Sequence, residues 1–87
     1  MEDHQIKASI LNILAGTFYE LSYFDRNHMC FGNMIVKIKI GTHIHCFISD
    51  RGDIYRNEKL VFSSDYHVAG EDDSPKYLIK AIEQFVR

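Results

Sequence analysis

The chain has no tryptophan, a single proline, two cysteines and no long apolar run. Each scarcity excludes something. Cys30 and Cys46 allow at most one internal disulfide, which is not the cysteine framework of a small secreted domain. The apolar runs fall far short of the ~20 residues that cross a bilayer, so no membrane role is expected. The opening Met1-Glu2-Asp3-His4 is acidic where a secretory signal would be basic. These features predict a cytoplasmic protein with reduced thiols. No GxSxG, HExxH, CxxC or P-loop pattern occurs anywhere. A non-enzyme without cofactor or metal is therefore the expectation. Repeats, linkers and low-complexity stretches are absent too, and 87 residues suffice for one domain, residues 1–87.

What is present is an ordinary globular composition, 46% hydrophobic and 25% charged, with a formal net charge of −2. The charge is uneven. Residues 50–73 hold seven acids (Asp50, Asp53, Glu58, Asp65, Glu71, Asp72, Asp73) against Arg51, Arg56 and Lys59, a local −4. The final segment is basic. Such an acidic middle argues against nucleic acid, which demands a basic footprint. It suits a basic protein partner, attracted by long-range steering; a solvated loop rim is the plainer alternative.

Hydrophobic spacing divides the chain. Ile6, Ile10, Ile13, Leu14, Thr17, Phe18 and Leu21 recur at three- and four-residue steps, predicting an amphipathic helix over 4–23. Asp3 stands at its N-cap or first turn, and Gly16 falls inside it. Residues 22–28 read as a loop. From Met34 the period becomes two, with Met34, Val36, Ile38 and Ile40 on one face. Gly41-Thr42 is a hairpin-length turn. In the next strand Ile44, Cys46 and Ile48 are expected to point to the core, with His43, His45, Phe47 and Ser49 on the other face. Asp50-Arg51-Gly52-Asp53 is a turn, because Asp bonds its own backbone and Gly accepts positive φ. Ile54–Arg56 is a short strand, Asn57–Lys59 a turn, and Leu60–Phe62 an edge strand. Ser74-Pro75 reads as a helix start, followed by the stripe Leu78, Ile79, Ile82, Phe85 and Val86. The predicted fold class is α+β: an N-terminal helix, an antiparallel meander of about four strands, and a C-terminal helix packed on the sheet.

Candidate chemistry is sparse. His43 and His45 leave one strand on the same face and could start a zinc site with His67 or Cys30, but such pairs are more often solvated. Cys46 reads as a small buried hydrophobe. Asp50 and Asp53 could form a carboxylate pair, although a turn-forming role is commoner. Tyrosines suit interfaces, having an apolar body and a polar tip. The acidic residues with Tyr55 and Tyr66 therefore make the candidate partner surface: Asp50, Asp53, Tyr55, Asp65, Tyr66, Glu71, Asp72 and Asp73. A second candidate is the sheet face expected to carry Ile35, Phe47 and Tyr55, for a partner or for self-association.

Phe31-Gly32-Asn33-Met34-Ile35-Val36, Phe47-Ile48 and Asp50-Arg51-Gly52-Asp53-Ile54-Tyr55 together resemble small immunity proteins of bacterial polymorphic toxin systems, of the Maf and contact-dependent inhibition kind. In those, an amphipathic helix precedes a meander reading roughly FGN, then F-x-x-D-R-G, and a second helix closes the domain. The resemblance implies a cytoplasmic inhibitor that binds one cognate toxin domain, often a nuclease. It transfers no contact residues. A small adaptor that homodimerises through its sheet is the alternative.

Overall fold

The computed structural model describes residues 1–27, 33–63 and 74–87. Seven elements follow one another: helix α1 (Asp3–Leu14), strands β1 (Glu20–Asn27), β2 (Asn33–Ile40), β3 (His43–Asp50), β4 (Asp53–Arg56) and β5 (Lys59–Phe62), and helix α2 (Ser74–Val86). The strands form one antiparallel meander in sequence order. Both helices pack on the same side of it, α1 against β1, α2 against β3 to β5, and each against the other. The α+β class and the helix–meander–helix order are as the sequence predicts. The strand count is five rather than four.

The first helix is shorter than its apolar spacing suggested. Its N-cap is Glu2, not Asp3, and the Glu2 backbone N–H donates to Gln5 Oε1 at 2.8 Å. It stops at Leu14 because the chain turns out at Ala15 and Gly16 takes φ +76. Thr17 then satisfies the Leu14 carbonyl twice, through its N–H at 3.0 Å and its hydroxyl at 2.6 Å. Phe18, expected in the core, is 91% exposed. Residues 20–27, expected as helix end and loop, are strand β1. A bulge between Leu21 and Tyr23 breaks its period of two and puts Leu21 and Phe24 three apart on one face, which with Phe18 just before the strand mimics helical spacing.

Ile6, Ile10 and Leu14 of α1, Met34, Val36 and Ile38 of β2, Phe47 of β3, Ile54 of β4, and Leu78 and Ile82 of α2 form the core. Arg26 of β1 reaches Asp3 of α1 at 3.5 Å, with its side chain nearly buried, and ties the helix to the sheet. Phe85 of α2 meets Tyr19, His45 and Phe47 with ring centroids 5.5, 4.6 and 5.4 Å apart.

The expected phase of β3 is reversed. Phe47 and Ser49 are wholly buried, whereas Ile44 is 54% exposed. The cause lies in the Gly41-Thr42 turn. A two-residue turn makes its flanking residues, Ile40 and His43, cross-strand partners, and partners share a face. Even-numbered β2 residues therefore face the helices together with odd-numbered β3 residues: Ile38 with His45, Val36 with Phe47, Met34 with Ser49. Ile44, Cys46 and Ile48 go to the other side. Cys46 is a half-buried free thiol there, not a core residue.

Candidate functional site

With both helices on one side, the opposite side of the sheet has no helix packed on it among the described residues. Its residues fall into cross-strand rows. The central row runs across all five strands as Asp25, Ile35, Ile48, Tyr55 and Leu60. Four adjacent apolar or aromatic side chains at ~4.8 Å strand spacing make a stripe about 15 Å long. Leu60 is 53% exposed at its end. On one flank lies a polar, acidic row of Asn27, Asn33, Asp50 and Asp53. On the other lie Tyr23, Lys37 and Cys46, then Glu20, Lys39 and Ile44. Lys37 Nζ sits 5.2 Å from the Tyr23 ring centroid, and Glu20 directly opposes Lys39.

Local backbone chemistry builds the acidic row. Arg51 (φ 53) and Gly52 (φ 92) form a two-residue turn with both central residues left-handed, the twist a hairpin favours. That turn sets Asp50 directly opposite Asp53. Asn33 steadies the corner, its Nδ2 donating to Asp50 Oδ1 at 3.1 Å while its Oδ1 accepts from the Arg51 N–H at 3.2 Å. Ser63 Oγ donates to Asp53 Oδ1 at 3.3 Å. Arg51 Nε lies 4.0 Å from Asp50 in an exposed pair, which screens little. Two like charges directly opposed on adjacent strands cost local stability.

Three of the eight sequence-predicted partner residues, Asp50, Asp53 and Tyr55, thus share this face. The other five, Asp65, Tyr66, Glu71, Asp72 and Asp73, lie outside the described residues. Ile48 occupies the place on the face that the sequence assigned to Phe47. The signal that could have found it was the two-residue turn and its parity.

The metal candidates do not converge. His43 is exposed, while His45 packs on Phe85 and its Nδ1 lies 3.3 Å from Asn57 Nδ2. Among the described residues no group of three or more His, Cys, Asp or Glu side chains could hold a metal ion. Cys30 and His67 lie outside those residues. No helix among the described residues is long and apolar enough to cross a membrane. Comparison of the chain with family models, curated proteins and solved structures gives no match.

Proposed function

We propose that this chain is a non-catalytic binding protein, an immunity protein that neutralises a cognate bacterial toxin domain by docking it on the open face of the sheet. The observation that carries the reading is the aligned row Ile35, Ile48, Tyr55 and Leu60 beside the acidic row of Asp50 and Asp53. An apolar centre with a charged edge is how specific protein interfaces are arranged. Tyr55 stands inside the row, flanked by Ile48 and Leu60, where an aromatic anchor contributes most. Asp25, Asp50 and Asp53 give the same face an acidic side. A nuclease toxin must present cations to phosphate, so such a partner would be drawn in faster and held in register by these carboxylates. The inhibitor would act in the cytoplasm, where the toxin meets its substrate. The family resemblance at residues 31–36 and 47–55 supports the same reading.

The test is to identify any toxin-like protein encoded beside this gene and co-express the two. Tyr55→Ala should cost on the order of 2 kcal/mol, or about thirtyfold in Kd, and abolish protection. Wild-type protection by Tyr55→Ala, Ile48→Asp and Asp50→Lys alike would remove the open face from the account.

A second reading is homodimerisation of an adaptor. Along β2 and β3 the face carries Lys37 and Lys39 toward one end and Asp50 at the other. Two copies related by a two-fold axis could set these charges against each other. A dimer in solution that Ile48→Asp dissociates, with no neighbouring toxin gene, would favour it.

A further inference from the structure

On the helix side, away from the open face, a groove of about 230 Å³ runs between α2 and strands β3 to β5. Four aromatic rings contribute to its lining. Phe62 stacks on Tyr77 with centroids 4.6 Å apart and planes at 29°. Phe47 and Phe85 meet edge to face at 5.4 Å. Two cations, Arg56 and Lys80, line the same groove. The Arg56 guanidinium lies 5.0 Å from the Phe85 ring centroid, a position that holds its fork at the wall. Neither cation is ion-paired with an acid among the described residues; Glu83, on the same helix, is engaged by Arg87 at 3.6 Å.

We infer that this groove is a binding site for a small aryl carboxylate. Three properties select that class. The volume lies below the ~300 Å³ at which drug-sized pockets begin, so one or two fused rings fill it. The stacked Phe62–Tyr77 pair and the Phe85 ring, backed by the buried Phe47, present apolar surface suited to a flat body. Arg56 and Lys80 supply two positive charges and directional N–H donors, which match a carboxylate and give a neutral ring no equivalent gain. The site is separate from the open sheet face, so its failure and that of the proposed function are read independently.

The experiment is titration of the ¹⁵N-labelled full chain with 2-naphthoate, and with the neutral 2-naphthylmethanol of nearly the same shape. The acid should give saturable shifts at Arg56, Phe62, Tyr77 and Lys80–Phe85, with Kd at or below about 1 mM. The alcohol should bind about tenfold more weakly. Lys80 is exposed, so Lys80→Gln should leave the melting temperature unchanged and weaken the acid about fivefold. Arg56→Gln should weaken it about tenfold. Equal affinity for acid and alcohol, undiminished binding by Lys80→Gln, or shifts that never saturate or map to the open face would each overturn the site.

Discussion

Replacing Phe47 by alanine probes the reversed phase of β3 most sharply when set beside Ile44→Ala three residues away. Phe47 is wholly buried among the β2, β4 and α2 side chains, and its ring abuts Phe85 at 5.4 Å. Truncating a buried phenylalanine costs about 3–5 kcal/mol, from lost transfer energy and from the cavity left behind. At ~0.05–0.15 kcal/mol per residue, an 87-residue domain has about 4–13 kcal/mol in all. Phe47→Ala should therefore remove about a quarter of the stability or more, and at the low end of that range leaves the chain unfolded at room temperature. Ile44, 54% exposed on the open face, should lose no more than about 0.5 kcal/mol on truncation. Urea unfolding followed by circular dichroism measures both. With a slope near 1 kcal/mol per molar, Phe47→Ala should lower the midpoint by about 3–5 M and Ile44→Ala by less than about 0.5 M. If Phe47→Ala does not fold, Phe47→Leu gives a graded loss of about 1–2 kcal/mol. The opposite ranking, with Ile44→Ala the costly change, would refute the register and the face assignments built on it.

Three further outcomes follow from the same geometry. Ser49 is wholly buried and its Oγ finds no hydrogen-bond partner, so Ser49→Ala should be neutral or stabilise by up to about 1 kcal/mol. A clear loss in thermal melting would mean the hydroxyl is satisfied. Asn57 and Glu58 both take positive φ, 48 and 71, at the β4–β5 turn. Glu58→Gly creates the Asn-Gly pair such turns prefer and should gain about 0.5–1 kcal/mol, whereas a loss would place the turn elsewhere. Asp53→Asn removes the like-charge opposition to Asp50 and should raise stability by a few tenths of a kcal/mol while slowing association with a basic partner. An unchanged association rate would detach the acidic row from binding.

Much of the fold was legible because local signals were strong and uninterrupted. The alternation of Met34, Val36 and Ile38, the turns at Gly41-Thr42 and Arg51-Gly52, and Ser74-Pro75 at the start of α2 all stand where their chemistry put them. The errors arose where two signals competed. Around Leu21 a bulge imposes a three-residue step on a strand, and the step looks helical. In β3 hydrophobicity favours Ile44-Cys46-Ile48 over His45-Phe47-Ser49, where only Phe47 is apolar, and so pointed to the wrong face. The choice was made by turn length, through the pairing of Ile40 with His43. The candidate site suffered the same ambiguity: Tyr55, Asp50 and Asp53 were recognisable one by one, but their alignment with Ile35 and Ile48 is a property of register. Arg56 and Lys80 meet at the groove only through the packing of α2 on β4 and β5, which no spacing in the chain encodes.

The central claim is that the open face of the sheet is where a protein partner docks. The most direct measurement is amide chemical-shift mapping of the labelled chain bound to a cognate toxin domain found beside its gene or by co-purification, with Kd determined for Tyr55→Ala. The largest perturbations should follow the row Ile35, Ile48, Tyr55 and Leu60 and the adjoining Asp50 and Asp53, and Tyr55→Ala should bind about thirtyfold more weakly. Perturbations confined to α1, α2 or the groove between them and the sheet, with Tyr55→Ala binding as tightly as wild type, would contradict it.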